Sequence, residues 1–435
     1  MTHGGLEASA EPAASQENTG AAPKLDIRTD MHPMAPSRRF FLIVLDGCGA
    51  GELPDARDYG EGDPGSSTLS HTARAAGGLR MPHLAALGWG NVTPMDGVAP
   101  DPAARAAWGR LAEVSKGKDT VTGHWEMMGV HTRVPFPTYP HGFPPEVLSL
   151  FESRIGCGTL GNYPASGTEI LRQLGEEHVR TGKPIVYTSA DSVFQVAAHE
   201  DPSVFGLERL YAACEAARSL LVPPHHVGRV IARPFVGRTA NELRRTENRC
   251  DYPLLPPHDT ALDLLAAAGK RVHAVGKVAE IFSGRGIATS EPTTNNPDHI
   301  AALGRAVRGE GPGADSDFVF ANLEDFDMLY GHRNDPVNFA RLLAEFDDFA
   351  GEMLPLLRAG DLVGITADHG NDPTTPSTDH SREYAPLLLF GPPVAAPRPL
   401  GDRATFGDWG ATVCDWLGVA PGPALGSSFA PGASA

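Results

Sequence analysis

The sequence contains few cysteines and no long apolar run, and both features limit the cellular compartments in which the protein is expected. Five cysteines in 435 residues are scattered without a Cys-x-x-Cys pair, and an odd number cannot all pair within one chain, so a reducing compartment is favoured. No stretch approaches the roughly 18 apolar residues of a membrane span, and the N-terminus lacks the apolar core of a signal peptide. We therefore expect a cytoplasmic protein that does not associate with a membrane.

Basic runs are also absent, and the net charge of -17 at pH 7 would repel nucleic acids and anionic membranes. No internal repeat is visible, which argues against solenoids and propellers. No feature of the sequence indicates an obligatory protein partner. If the substrate is a phosphate ester, the negative field has to be inverted locally, and bound metal cations are the simplest means of doing so.

Three buried strands, each followed by aspartate, organise the part of the chain that should fold. Residues 40–45 form a continuous apolar run that ends at Asp46, and similar strands are expected at 317–323 and 362–366. Helical patterns such as residues 336–358 alternate with these strands, which is typical of an α/β sheet covered by helices on both faces. Because ligands bind beyond the carboxyl ends of such strands, we expect the aspartates to share one crevice.

A composition of 41% hydrophobic and 20% charged residues predicts a globular chain, and a length of 435 residues predicts two domains. Residues 1–36 are rich in Ala, Gly, Pro and Ser and are expected to be a disordered N-terminal extension. Between about residues 135 and 252 the pattern changes, with several proline-rich joins. We interpret this stretch as an inserted cap domain with strands at 184–188 and 227–232. The core domain then consists of residues 37–134 and 253–435.

The segment ITADHGND at 365–372 is the most specific of the motifs. It places Asp368 and His369 at a strand end, and His380 follows after a short loop. Carboxylate oxygens and imidazoles are ligands typical of Mn²⁺ or Zn²⁺. The competing interpretation is that Asp368 caps the next segment and the histidines are exposed.

Two further segments offer ligands of the same kind. In NLEDFDMLYGHR at 322–333, Asp327 and His332 are candidates, since Gly331 lets the backbone turn the imidazole back; the alternative is an acidic helix N-terminus. Asp46 precedes a turn with the spacing Gly-x-Gly-x-Gly. A dinucleotide-binding fingerprint is disfavoured there, because the glycine order differs and no clear helix follows.

A fourth segment, KGKDTVTGHWE at 116–126, supplies two possible nucleophiles, Thr120 and Thr122. A threonine hydroxyl is a weak nucleophile, but coordination to a metal makes its alkoxide accessible, so a phosphothreonine intermediate becomes feasible. Read alone, the segment could equally be a polar turn. Together the segments provide three carboxylates and three histidines, enough for two metals about 3.5–4 Å apart.

These residues resemble the phosphopentomutases of the alkaline-phosphatase superfamily. The resemblance runs from about Arg39 to the C-terminus and rests on KDTVTGHWE at 118–126, PASGTEI at 164–170, YTSADS at 187–192, GRVIARPF at 228–235 and ADHGND at 367–372. Several of these segments lie outside the metal motifs, so shared metal chemistry does not explain them.

The resemblance implies an alkaline-phosphatase-like core with an inserted α/β cap, and two Mn²⁺ ions. It assigns Asp46, Asp368 and His369, with Thr120, to one ion, and Asp327, His332 and His380 to the other. It also places Thr120, and not Thr122, at the nucleophile position. The substrate-binding positions that it implies are Ser189, Asp191, Val193, Arg229, Ile231 and Lys277.

The activity implied by the resemblance is the interconversion of α-ribose 1-phosphate, or its deoxyribose equivalent, with the 5-phosphate. A phosphothreonine enzyme would pass through a pentose 1,5-bisphosphate, and a sugar bisphosphate such as glucose 1,6-bisphosphate would act as activator. The alternatives are a two-metal phosphomonoester hydrolase, which the cap motifs disfavour, and a non-catalytic metal-binding module, which would not need Thr120 beside a complete ligand set.

Overall fold

A computed structural model of the protein describes residues 37–60, 63–189 and 192–432. The predicted disorder of residues 1–36 and the candidate Asp191 lie outside the described residues. All five cysteines are free thiols. Among the helices that the structure describes, none is both long and apolar enough to cross a membrane.

The described strands are β1 Arg39–Leu45, β2 Ala107–Leu111, β3 Leu160–Pro164, β4 Ile185–Thr188, β5 Val193–His199, β6 Arg229–Val236, β7 Arg244–Arg245, β8 Cys250–Pro253, β9 Val272–Val275, β10 Thr289–Glu291, β11 Phe318–Leu323, β12 Asp361–Thr366, β13 Ala385–Phe390 and β14 Arg398–Arg403. The described α-helices are α1 Thr68–Ala75, α2 Pro82–Leu87, α3 Thr120–Met127, α4 Pro145–Ile155, α5 Gly167–Thr181, α6 Leu207–Leu220, α7 Ala261–Ala267, α8 Val278–Ile281, α9 Asn296–Arg308, α10 Pro336–Met353 and α11 Asp408–Trp416.

An eight-stranded sheet forms the core, in the order β10-β9-β11-β1-β12-β13-β2-β14. Strand β1 lies between β11 and β12 and pairs in parallel with both, with Leu45 opposite Leu323 and Val44 opposite Thr366. All three strands are fully buried, as expected for parallel strands covered on both faces. The three predicted strands are confirmed, and their carboxyl ends lie side by side.

Two sets of helices flank this sheet, which confirms the predicted α/β class. One set comprises α1, α2, α9 and α10, and the other comprises α3, α7, α8 and α11, with contacts within each set. The prediction for residues 336–358 was wrong at its end, because α10 stops at Met353. Leu354–Leu356 form a 3-10 turn around Pro355, which cannot continue an α-helix.

A second sheet is built from residues of the predicted cap, in the order β3-β4-β5-β6-β7, with β8 also paired to β6. Its strands β4 and β6 correspond to the predicted strands 184–188 and 227–232, although β6 begins at Arg229 and continues to Val236. One face packs on α4 and α6 through an apolar cluster that includes Phe194, and the other packs on α5. The domain boundaries themselves remain predictions.

Candidate metal centre and active site

The carboxyl ends of β11, β1 and β12 bring two groups of possible metal ligands together. Asp46, Asp368 and His369 form the first group, with one ligand atom from each lying within 4.8 Å of the others. Their side chains are at most 1% exposed. The Nε2 of His369 lies 3.3 Å from Asp46 Oδ1 and 3.5 Å from Asp368 Oδ2. The three residues therefore face a common point.

The second group consists of Asp327, His369 and His380, again with ligand atoms within 4.8 Å. His332 joins it, since its Nε2 lies 3.1 Å from Asp327 Oδ2, while His380 Nε2 lies 3.4 Å from Asp327 Oδ1. Asp327 belongs to a π-helical turn, Phe326–Tyr330, a rare geometry that is often found at functional sites. The motif at 322–333 thus turns its acid and its histidine to the same site.

His369 stands between the two groups and could serve either. The ring centroids of His369 and His380 are 4.0 Å apart, and those of His332 and His380 are 4.7 Å apart. The resemblance assigned His369 to one ion only. In the structure, the six candidate ligands form a continuous cluster in which His369 is the shared member.

The donor set fits divalent cations. Within the part of the chain that the structure describes, Asp46 Oδ1, Asp368 Oδ2 and His380 Nε2 are buried without a hydrogen-bond partner. Burial, and then the neighbouring Asp368, raise the pKa of Asp46. Buried oxygen and imidazole atoms that lack partners are costly unless something else binds them. Oxygen and imidazole donors together suit Mn²⁺ or Zn²⁺.

Three side chains that the sequence did not single out lie against this cluster. Asn322 Nδ2 donates to Asp46 Oδ2 at 2.8 Å, and Asn371 Nδ2 donates to Asp327 Oδ1 at 2.6 Å. His124 Nδ1 lies 3.2 Å from Asp368 Oδ2. The two amide hydrogen bonds hold Asp46 and Asp327 in one rotamer. Each residue lies inside a motif already noted, so proximity to the ligands was the available signal.

Thr120 is the first residue of α3, and its hydroxyl faces the cluster of candidate metal ligands. Thr120 Oγ1 lies 3.2 Å from His369 Nε2, and His124 Nδ1, one helical turn later, donates to the Thr120 carbonyl at 2.9 Å. The Thr122 hydroxyl points elsewhere and donates to the helix-capping Asp119 at 2.6 Å. The structure thus brings Thr120, but not Thr122, to the candidate ligands.

A cavity of about 610 Å³ opens beside this cluster. Its walls include Thr120, Asp327, His332, His380, Val193, Arg229 and Lys277. Two of the substrate-binding residues predicted in the cap, Val193 and Arg229, therefore line the same cavity as the candidate metal ligands. Among the described residues, Ser189 and Ile231 do not line it, and Asp191 is not described.

Lys277 and Arg229 provide cationic groups in this cavity. The Lys277 ammonium lies 3.2 Å from Glu324 Oε2. Burial lowers the pKa of Lys277, but Asp46 and Glu324 outweigh that effect and hold it above its usual value. Arg229 is 38% exposed, and its Nη1 lies 3.8 Å from Asp251 Oδ2. Both cations can therefore reach an anion in the cavity.

Buried acids and imidazoles at the carboxyl edge of an α/β sheet define a metalloenzyme, and the matching family model is the metalloenzyme superfamily, over residues 38–421. Phosphopentomutase from Symbiobacterium thermophilum is 53% identical over 91% of this chain and 99% of that protein. Phosphopentomutase from Herpetosiphon aurantiacus is 52% identical over 90% and 98%, respectively. The chain therefore belongs to the phosphopentomutase family within the metalloenzyme superfamily.

Among solved structures, the phosphoglycerate mutase of Leishmania mexicana aligns with 92% of this chain over 98% of its own length. Its sequence is 12% identical, and the TM-score is 0.44.

Proposed function

We propose that this protein interconverts ribose 1-phosphate, or deoxyribose 1-phosphate, with the corresponding 5-phosphate. The observation that carries this proposal is one cavity lined by Thr120, by candidate metal ligands and by two cations, Arg229 and Lys277. A nucleophile beside a metal cluster handles one phosphate, and separate cations can hold a second. Membership of the phosphopentomutase family supports the same substrate class.

We propose that two divalent cations, Mn²⁺ by preference, bind this cluster. One ion would be held by Asp46, Asp368 and His369, with Thr120. The other would be held by Asp327, His332 and His380. When bound, the ions would neutralise charge on the transferred phosphoryl group and lower the pKa of the Thr120 hydroxyl. Asn322 and Asn371 would keep the carboxylates oriented.

In the proposed reaction, phosphorylated Thr120 gives its phosphoryl group to the free hydroxyl of a pentose monophosphate. The pentose 1,5-bisphosphate that results then returns its other phosphoryl group to the Thr120 oxygen, so the number of phosphates is conserved. Because transfer depends on positioning and electrostatics, the geometry of Thr120 against its neighbours matters most. A sugar bisphosphate such as glucose 1,6-bisphosphate would prime the enzyme.

The remaining residues would position the sugar. Arg229 and Lys277 would bind the phosphate that is not reacting, and Val193 would contact the sugar from the cavity wall. Ser189 and Asp191 are proposed to bond to sugar hydroxyls, and Ile231 to complete the pocket. For the two that are described, Ser189 and Ile231, this proposal requires the pocket to close around the substrate, which would also exclude water from the phosphothreonine.

Labelling with a radioactive sugar bisphosphate tests the nucleophile. Thr120→Ala should take up no covalent label and lose mutase activity, because no oxygen remains to carry the phosphoryl group. Thr122→Ala is the matched control: it removes the hydroxyl that donates to Asp119 but keeps the capping bond from the backbone N–H, and it should remain labelled. Label on Thr120→Ala, or its loss only from Thr122→Ala, would contradict the assignment.

A second experiment separates a mutase from a hydrolase. The Mn²⁺-loaded protein is given deoxyribose 1-phosphate, and both the 5-phosphate and free phosphate are followed. A mutase yields the 5-phosphate, with little free phosphate. Arg229→Ala should slow turnover without changing the metal content, since Arg229 is not among the proposed ligands. Release of free phosphate as the main product would refute the proposed activity.

We also propose that the protein works in the cytoplasm. Its five cysteines are free thiols, and three of them, Cys48, Cys214 and Cys414, are buried. A pattern of unpaired thiols is typical of a reducing compartment. Fractionation of the cells that make the protein, with an antibody as the readout, tests this location.

A further inference from the structure

A second cavity, of about 270 Å³, lies on the cap sheet apart from the metal centre. Its walls contain Arg233, Arg245 and Arg249, together with Pro234 and Thr246. No carboxylate lines it among the described residues. Three guanidinium groups around one cavity are notable in a chain whose net charge is -17, because like charges repel unless an anion lies between them.

Positions in the sheet place this cavity on the same face as Arg229. Residues 229, 231 and 233 of β6 share a face, because side chains alternate along a strand. Arg233 therefore lies about 13 Å from Arg229 along β6, at roughly 3.3 Å per residue. Arg233 Nε donates to Gln195 Oε1 at 3.0 Å, and Tyr187 stands directly opposite Gln195.

Tyr187 contributes a buried hydroxyl to this region. The residue is 1% exposed, and its Oη has no hydrogen-bond partner within the described part of the chain. A Cβ placed on Gly167 would lie 3.0 Å from Tyr187 Oη and 3.1 Å from Arg245 Nη1. The phenol and the guanidinium thus face the same point, at the first residue of α5.

The start of α5 adds backbone donors at that point. Ser166 caps the helix by accepting from Glu169 N, and the first N–H groups of a helix have no partner within it. The positive end of the 15-residue helix therefore faces Tyr187 and Arg245. A free hydroxyl, free amide donors and arginine together form a recognised arrangement for binding an oxyanion.

The charges of the arginines are only partly compensated. Asp251 pairs with Arg249 at 2.6 Å and lies 3.8 Å from Arg229, so a single carboxylate serves both cavities. Burial, and then Arg249, lower the pKa of Arg233. Arg233 and Arg245 are left without a carboxylate partner among the described residues, and an anionic ligand would supply one.

We propose that this cavity binds the phosphate group of a phosphate monoester, held by Arg233, Arg245 and Arg249 on its walls, with the Tyr187 hydroxyl and the N-terminus of α5 beside Arg245 as further donors behind the wall. A volume of about 270 Å³ leaves room for a phosphate group that carries a small organic substituent. The site does not depend on the metal cluster or on Thr120.

Titration calorimetry of the Mn²⁺-loaded protein with methyl phosphate, a monoester that offers no sugar hydroxyl, tests this site. The wild type should bind it at two places, the metal centre and the arginine cavity. Arg245→Gln should weaken the second event at least about 10-fold, through loss of a charge-assisted contact. The control, Arg244→Gln, removes the same charge from the neighbouring residue of β7, which does not line the cavity, and should bind as the wild type does.

Tyr187→Phe separates a binding role from a general effect of charge. It removes one hydroxyl and no charge, and should weaken the second event about 2- to 10-fold. Thermal unfolding of each variant checks that the sheet is intact. The proposal is overturned if Arg244→Gln and Arg245→Gln lose affinity equally, or if the wild type shows no second event at about 10 mM ligand. Tighter binding of inorganic phosphate than of methyl phosphate would overturn the ester assignment.

Discussion

Arg382 is a buried cation behind the metal centre, and its removal should destabilise the protein strongly. Its side chain is 1% exposed, and its Nη1 lies 2.6 Å from Glu113 Oε2. The same nitrogen donates to the Gly117 carbonyl at 2.7 Å, on the loop that leads to Thr120. We predict that Arg382→Met lowers both the free energy of unfolding and the activity, because the loop loses its anchor.

The magnitude follows from the burial of Glu113, whose side chain is 2% exposed. Removing one partner of a buried ion pair costs about 3–5 kcal/mol, a large part of the roughly 5–15 kcal/mol by which proteins are stable. Burial raises the pKa of Glu113 well above its usual value, and Arg382 counteracts this. Without Arg382, Glu113 can take up a proton instead of remaining charged, so we expect a loss near the lower limit, about 3 kcal/mol.

Urea unfolding, followed by circular dichroism, measures this loss and its origin. The double variant Arg382→Met, Glu113→Leu removes both charges and should recover about 2 kcal/mol of the loss, because apolar side chains replace buried ion pairs at little cost. Recovery should be incomplete, since the carbonyl groups of residues 113 and 117 still lack their donors.

An exposed pair of an arginine and a carboxylate provides the control. Arg110 donates to both carboxylate oxygens of Asp402, at 2.9 and 2.7 Å, but the side chains are 29% and 47% exposed. Arg110→Met should therefore cost at most about 1 kcal/mol. If Arg382→Met costs no more than Arg110→Met, or if the double variant recovers nothing, then burial of the ion pair is not the cause and the reasoning is refuted.

Three further predictions concern pH, metal and backbone packing. Burial lowers the pKa of His299 to about 4 from a usual 6.5, so the unfolded chain binds the proton more readily and stability falls as the pH drops. Between pH 6.5 and about 5 the free energy of unfolding should fall by at most about 1.5 kcal/mol. Urea unfolding at these two pH values should show a smaller fall for His299→Gln than for the wild type. Chelation should lower the melting temperature, with recovery on addition of Mn²⁺, because Asp46 and Asp368 then face each other without a cation; an unchanged melting curve would contradict this. Gly123→Ala should reduce activity more than about 100-fold, since its Cβ would lie 2.1 Å from the Asp368 carbonyl oxygen, whereas Gly304→Ala, whose nearest contact is 3.3 Å, should retain it.

The sequence predicted the strands of the site well because their signal is local. Residues 40–45 are continuously apolar and end at Asp46, a pattern that needs no knowledge of the neighbouring strands. The same holds for Asp368 and His369, which are adjacent in the chain. The end of α10 was misplaced for a reason that is also local: the apolar pattern continues past Met353, while Pro355 ends the helix.

What the sequence did not predict depends on contacts between distant segments. Asn322 and Asp46 are 276 residues apart, and Arg382 and Glu113 are 269 residues apart. At these separations no periodic pattern in the sequence shows that the two residues of a pair are in contact. Such residues lie beside the ligands in space, and only the register of β11 against β1 shows which ones meet. Val44 stands opposite Asn322, which places the amide next to the aspartate that follows β1.

The division between local and distant signals also explains why Thr120 could not be separated from Thr122 by the residues alone. Both hydroxyls lie in one short polar segment, and the helix boundary decides between them: Asp119 caps α3 and accepts from Thr122, so the hydroxyl of Thr120 remains available to the site. The absence of a Cβ on Gly123 then lets α3 approach the Asp368 loop. The position of Thr120 is thus set by a cap on one side and a missing side chain on the other, two features that acquire meaning only when β12 is in place.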